Sequence, residues 1–491
     1  MKIAHNTGPA LLVASAFFAV LLLTLRVLSV FSLSQPMQVV TSGFEEESLF
    51  AIWKGMHQLP VFADPHQIPF AASYFNWLFY TFYSKVVGFL ISFGDLDDLW
   101  IPTIGRGVTL AIAIVGSMVN YRLLTRALVA PWLALCLSIW LWLGPLLGFW
   151  TITVRPDIGA LFFEGLAAFW ILRSPQHNVF RILLAAGCCY LAWSCKQIAI
   201  TMPIAIVLFL AWERNWKGLG IFVLALMSAY AATLGLASIA MRDSLFQVKH
   251  ALAWSWQVWA MNLLNFAKKS SPVLLLAAYV GVKSIDDPQA RNLALHNPLV
   301  RLGLCGSVAW GITLLPASSK IGSADNYHFI ALFYLVLMVG GAFAAWRKMG
   351  VDNIAPKAFA VAGVMGLFSI GVVIVNGQVA TVAQQHQQLT ALKDCIAPLP
   401  KPVFVMNHYA ALPWMNPGQP SFVLAFNYWE ERLLGRTFAH NGIGGLITQG
   451  YFSTLVLPAN TQNVFDGASL KNYTRQTARC NNYLLFTRND A

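Results

Sequence analysis

Apolar runs of roughly 20 residues recur along most of this chain, and no other feature restricts its fold so strongly. A helix needs about 20 residues to cross the ~30 Å hydrocarbon layer of a bilayer, where every backbone polar group must be satisfied internally. Candidate crossings lie at 10–33, 74–93, 102–121, 131–150, 158–172, 179–194, 198–212, 219–241, 272–282, 300–316, 326–346 and 358–376, which predicts eleven to thirteen spans. Of the 491 residues, 57% are apolar and 11% charged, whereas soluble domains carry about 25% charged residues. A soluble globular protein is excluded. The expected fold class is an all-α polytopic membrane protein.

A formal net charge of +12 raises the question of nucleic acid, but the basic residues are dispersed over short loops and form no stripe. They report orientation. Arg122/Arg126, Arg173/Arg181, Arg214/Lys217 and Arg347/Lys348 fall in alternate loops, which the positive-inside rule assigns to the cytoplasm. The loop 151–157, the turn at Lys196, the segments 242–271 and 318–328, and everything after Gly377 are then external. A single crossing at 74–93 would reverse this alternation. That segment is therefore expected to enter the membrane and return, or to have a further crossing nearby. The first apolar run is too long for a signal-peptide core and reads as an uncleaved helix.

Two domains are expected. Residues 1–377 form the transmembrane domain, with a first external loop at 34–73, and residues 378–491 form a small external α/β domain. The boundary follows from the polar stretch around Gln384, Gln385, Gln387 and Gln388, leading to Pro398 and Pro400. Beyond it, β-rich runs at 403–406, 454–457 and 483–487 alternate with helix-like segments such as 429–434. The loop 34–73 mixes Trp53, Phe62 and Phe70 with charged residues, as do helices lying in the membrane interface, and such a loop can roof a cavity. Cys136, Cys188, Cys189, Cys195 and Cys305 sit in or beside apolar spans as small hydrophobes. Cys395 and Cys480 lie in the polar tail, and in an oxidising compartment they are expected to pair.

Ionisable residues pressed against a bilayer are costly and mark sites. Four external positions carry them: Glu45-Glu46-Glu47, Arg155-Pro156-Asp157, Lys196-Gln197, and Lys320 running on to Asn326-Tyr327-His328. Carboxylates opposite cations on one face suit a reaction in which a lipid phosphate leaves and a hydroxyl attacks.

The order of these features resembles the GT-C superfamily of polytopic glycosyltransferases, in the branch of the protein O-mannosyltransferases and the lipid A aminoarabinose transferase. That branch has an acidic pair early in a long first external loop, then an aromatic and glycine-containing stretch and an Asp-Pro-like step. Here these read Phe44-Glu45-Glu46-Glu47, Trp53-Lys54-Gly55 and Val61-Phe62-Ala63-Asp64-Pro65. Arg155-Pro156-Asp157 is similar to the branch's second external loop, and Lys320-Ile321-Gly322-Ser323 through Phe329 to its Lys-Gly loop. Relatives commonly have Asp-Glu where this chain has three glutamates.

The resemblance covers 10–376 and implies a sugar carried on a polyprenyl phosphate. Displacement at the anomeric carbon would proceed with inversion at the outer face of a bacterial inner membrane, and the acceptor would be a glycan, lipid or protein. A phosphate leaves already ionised, so the chemical need is a base for the acceptor hydroxyl. Glu46, beside Glu45 and Glu47, is the expected base, since like charges raise one carboxyl's pKa. Lys320, Arg155, Lys196 and His328 are expected on the donor phosphate, and Asp157, Asp64, Asn326 and Tyr327 on the substrate. Relatives differ in metal use, so the resemblance leaves room for a divalent cation such as Mg or Mn, with Asp64 assisting the glutamates. His57, His66, His250, His408 and His440 have no zinc-ligand spacing.

Structural readings stand beside each of these. Three glutamates can merely begin a helix, Arg155 and Asp157 can pair at a helix start with Pro156 in the first turn, Lys196 can snorkel, and Lys320 can occupy an ordinary turn. The rival class is a secondary transporter or lipid flippase. Such proteins bury charge near the midplane and carry internal repeats, whereas this chain gathers charge at one face and has no evident repeat.

Overall fold

In hydrocarbon a chain must satisfy its own backbone, and the apolar runs do so as helices. The computed structural model describes residues 3–30, 33–34, 37, 44–173, 178–246, 253–347, 356–406, 412–415, 428, 431–432, 435–459, 467–480 and 482–489. His250, His408, Lys348 and most of 429–434 lie outside the described residues. The first helices are α1 (Ile3–Val30), α2 (Phe44–Met56), α3 (Trp77–Gly94), α4 (Ile101–Arg126), α5 (Pro131–Trp142) and α6 (Pro156–Leu172). They are followed by α7 (Val179–Cys195), α8 (Thr201–Trp212), α9 (Trp216–Leu236), α10 (Ile239–Phe246), α11 (Trp256–Lys269), α12 (Ser271–Asp286), α13 (Pro288–His296) and α14 (Pro298–Ile312). After a short turn come α15 (Phe329–Arg347), α16 (Pro356–Val375) and α17 (Gln378–Ile396).

Proline punctuates the bundle. Helices α4, α5, α6, α12, α13 and α14 each carry one in the first turn, where the missing N–H costs nothing and the fixed φ suits a helix start. The stretches Thr7–Val30, Asp98–Arg126, Trp216–Leu236, Asp325–Arg347 and Pro356–Ile396 are long and apolar enough to cross a membrane on length and composition. Four further apolar helices, α5, α7, α8 and α14, are shorter.

Helix α15 is buried nearly all round, as an element apolar on every face should be. Its Tyr334 ring lies against α14 so closely that a Cβ at Gly306 would come within 2.2 Å of it. Helix α9, by contrast, buries only Gly218, Phe222 and Leu226 and turns the rest of its apolar surface outward. Trp140, Trp142 and Trp346 are the largest fully buried side chains.

The segment 74–93 corrects the sequence expectation. It does not enter and return: α3 is one continuous helix, and both of its ends are tied to residues of the first loop and its neighbours. At its start the Tyr74 amide donates to Glu47 and Asn76 donates to the Trp193 carbonyl. Just past its end, Asp98 accepts from Trp53 of α2, and α4 then brings Arg106 to the Leu33 carbonyl beyond α1. With α3 set aside, the longer apolar helices among the described residues are α1, α4–α9, α12 and α14–α16. In the loop 34–73, helix α2 is buried along most of its length.

Helix α17 joins bundle to tail. Val379 and Val382 pack with Val30, Leu33, Phe149 and Ile152 of the bundle, while Leu392 and Ile396 pack under a sheet. That sheet has the order β1-β2-β4-β3, from β1 (Val403–Val405), β2 (Thr454–Pro458), β3 (Tyr473–Cys480) and β4 (Tyr483–Arg488). Strands β1 and β2 are parallel and the other pairs antiparallel. The short helix α18 (Gly442–Thr448) covers one face. Cys395 of α17 and Cys480 of β3 are disulfide-bonded.

Candidate active site

Three consecutive residues on a helix project about 100° apart, so the three glutamates point in different directions. Each goes its own way in the first turn of α2. Glu45 takes Arg106 of α4 in a forked pair, Oε1 to Nε at 3.2 Å and Oε2 to Nη2 at 3.0 Å, and also accepts from the Val154 and Met37 amides at 3.0 and 2.6 Å. Glu47 Oε1 accepts from the Tyr80 hydroxyl at 2.6 Å and the Tyr74 amide at 3.2 Å. These two side chains bolt α2 to α3, α4 and the 3-10 turn before Arg155.

Glu46 is different. It is 1% exposed, and its buried Oε1 has no hydrogen-bond partner among the described residues. Burial, followed by the neighbouring charge of Glu45, holds its carboxyl well above the usual range. Further along α2, Trp53 and Gly55 serve packing against Asp98 and Ser84. Lys54 donates to the Val61 carbonyl, and burial lowers its ammonium to about 8 against the pull of Glu47.

The first turn of α2 abuts the cations. The Arg155 guanidinium lies 5.0 Å from the Phe44 ring, 5.6 Å from Phe75 and 4.4 Å from Trp150, an aromatic box that holds a planar cation. Arg155 Nε sits 3.3 Å from Asp157 Oδ2 as an ion pair whose angle makes no hydrogen bond. Lys196, at the end of α7, pairs with Asp157 Oδ1, which also accepts from Asn326 Nδ2 at 2.7 Å. The Lys196 ammonium is 5.6 Å from the Tyr327 ring. Arg155, Lys196, Asp157, Asn326 and Tyr327 thus meet, from three separated stretches of sequence. One carboxylate serves two cations, leaving a net positive charge in a buried place.

The remaining sequence candidates divide. His328 is fully buried, its ring 5.1 Å from Phe266 and 5.7 Å from Trp310, with neither nitrogen partnered. Lys320 stands apart from the network. Its loop pairs with the strand-like turn at Trp254, and its ammonium lies 5.8 Å from that ring; no hydrogen bond or ion pair among the described residues joins it to Arg155, Lys196 or the glutamates. Asp64 does not join the glutamates either. It is 3.1 Å from His66 Nδ1, whose Nε2 is 2.6 Å from Glu431 Oε2, so it helps dock the tail on the first loop. Glu45 is held by Arg106, Glu47 by Tyr80 and Asp64 by His66. No cluster of three potential ligands occurs among the described residues.

Sequence reading missed four groups. Arg106 sits inside an apolar span, where a single basic residue is the one available signal. Glu164, also within a span, is buried near the start of α8, whose Ile200 cap residue makes no side-chain cap hydrogen bond. Arg26 and the Lys269–Asp325 pair are the other two.

No family profile and no curated protein matches the chain in sequence. In structure the chain is similar to ArnT from Cupriavidus metallidurans in the apo state, with TM-score 0.56 and 11% identity over 96% of this chain and 98% of that one. A looser likeness is to an Archaeoglobus fulgidus oligosaccharyltransferase in complex with Zn and sulfate, with TM-score 0.38 and 15% identity over 84% of this chain and 62% of that one. The second is too loose to bear on the fold. The chain is a multi-pass membrane protein with an ArnT-like fold and a small C-terminal sheet domain.

Proposed function

We propose that the protein is a membrane glycosyltransferase that moves a sugar from a polyprenyl-phosphate donor to an acceptor hydroxyl at the outer face of a bacterial inner membrane, with inversion. The observation that carries this reading is Glu46: a buried, elevated, unpartnered carboxylate in a turn whose other two acids are consumed by structure. Such a group lacks a hydrogen-bond donor, and an acceptor hydroxyl supplies one. In the reaction the hydroxyl proton passes to Glu46 and its oxygen bonds the anomeric carbon from the face opposite the phosphate. The carbon–oxygen bond to phosphate breaks with its electron pair on the phosphate, which leaves as a dianion.

Arg155 and Lys196 receive that charge, which grows from one to two negative charges as the bond breaks. A buried cation strengthens its hold as charge develops, so their contribution falls on the transition state. Asp157 orients both cations, and Asn326 holds Asp157. The acceptor, whether glycan, lipid or protein, and the sugar itself remain for experiment. The test is transfer from a radiolabelled polyprenyl-phosphate sugar in membranes bearing the protein. Wild-type chain is expected to move label and Glu46→Gln to move about 10²- to 10⁴-fold less; equal transfer by both removes the base from the scheme.

A further inference from the structure

Helix α11 sets one face against the loop 318–328. Asn262, Phe266 and Lys269 recur at i, i+4 and i+7, so their side chains form a single stripe along the helix. Asn262 Nδ2 donates to the Ser318 carbonyl and to Ser323 Oγ, each at 2.9 Å. The Phe266 ring stacks on His328 with centroids 5.1 Å apart. Lys269, in the last turn of the helix, pairs with Asp325, whereas its neighbour Lys268 is exposed. Just before the helix, the bridge between Trp254 and Lys320 and the Ser255 amide on the Ser319 carbonyl, at 2.8 Å, tie its start to the same loop.

These contacts close on the 3-10 turn Asp325–His328. Helix α11 holds the first and last residues of that turn, and the two between them reach the cation site. Asn326 Nδ2 donates to Asp157 Oδ1 at 2.7 Å, and the Tyr327 ring lies 5.6 Å from the Lys196 ammonium. The Tyr327 carbonyl accepts from Trp310 Nε1 at 3.1 Å. Asp325 is 7% exposed, so loss of Lys269 would strand a buried carboxylate and shift the turn that carries it. Asp157 Oδ1 accepts from Lys196 and Asn326 together. Without Asn326 that oxygen would turn wholly to Lys196 and neutralise more of its charge.

We propose that Lys269 is a positioning residue for the transfer reaction: through Asp325 it fixes the turn that aims Asn326 at Asp157, and so keeps the charge of Lys196 available to the leaving phosphate. No hydrogen bond or ion pair among the described residues joins Lys269 to Asp157, Lys196 or Arg155, so it acts only through the turn. The inference rests on the glycosyltransferase reading, because departure of the phosphate is the step it serves.

The test is a double-mutant cycle of Lys269→Gln and Asn326→Ala in the full chain in lipid nanodiscs. The probe is farnesyl phosphate, a monoester dianion like the phosphate that leaves, with affinity read from shifts in melting temperature. Lys269→Gln is expected to bind it about tenfold more weakly, Lys269→Arg to recover most of the loss, and Lys269→Gln to cost little more once residue 326 is alanine. In transfer from a radiolabelled polyprenyl-phosphate sugar the loss should fall on kcat more than on KM, since the charge develops as the bond breaks. Losses that multiply in the double variant, or wild-type affinity in folded Lys269→Gln, overturn the proposal. Should Lys269→Gln not fold, Asp325→Asn, which keeps the shape and removes the charge, enters the same cycle. Coupled losses of binding in a chain that transfers no sugar would remove the glycosyltransferase reading and leave Lys269 positioning a phosphate site; transfer with uncoupled losses would do the reverse.

Discussion

Glu46 and Glu45 are neighbours of identical chemistry with opposite fates, and the difference lies in what the helix turns each towards. A carboxyl whose folded pKa is raised is a base only above that pKa, so transfer should rise with pH through a value above the ordinary ~4.3 of glutamate. The same shift acts on stability. Burial favours the protonated form, so Glu46 is tolerated best below its unfolded pKa, and its contribution declines as pH rises through the raised folded value. Glu46→Gln is therefore expected to lower transfer about 10²- to 10⁴-fold while raising the melting temperature at pH 8 more than at pH 5. A variant less stable than wild type at pH 8 would argue that Glu46 has a structural partner. Glu45 behaves in the opposite way. Arg106→Ala strands a fully buried carboxylate and should cost about 3–5 kcal/mol, read as loss of folded protein in detergent before any kinetic effect. A run of three acids signals a site, but nothing in the run says which acid is free, because that depends on partners from α3, α4 and residue 154.

At the scale of elements, the first loop and the tail are fastened to the bundle by a few specific links. The Cys395–Cys480 bond closes a separation of 85 residues, for which chain entropy gives on the order of 4 kcal/mol. Cys480→Ser should lower the melting temperature of the tail measurably, and an unchanged melt under reductant would show the α17–sheet core to be sufficient alone. His66 lies between Asp64 and Glu431, and the Ala439 amide donates to its carbonyl. His66→Ala is expected to speed limited proteolysis between the sheet and the first loop while leaving the bundle intact. Strands β1, β2 and β4 follow the runs legible in the sequence. Strand β3 was not legible, because its side chains are mostly exposed and polar and its place is set by pairing with β4.

For the whole molecule, sidedness is the sharpest expectation. If α3 begins and ends on one side, a cysteine in place of Asp95 is labelled from the same face as one replacing Lys471, and Lys217→Cys from the opposite face. The five free cysteines are buried, so background labelling should be low. Labelling of Asp95→Cys together with Lys217→Cys would restore a crossing at α3. Residue order alone determined that this chain lives in a bilayer as a helical bundle, which end carries the basic loops and where the polar tail begins, because hydropathy and loop charge are local properties summed along the chain. It also named Arg155, Lys196, Asp157, Asn326 and Tyr327, which do meet. Only the tertiary structure decided that Glu46 Oε1 is left without a hydrogen-bond partner among the described residues, that Lys320 and Asp64 lie elsewhere, and that α3 is one continuous helix. Whether a charge is free depends on neighbours brought from distant segments, and no local property of the chain encodes them.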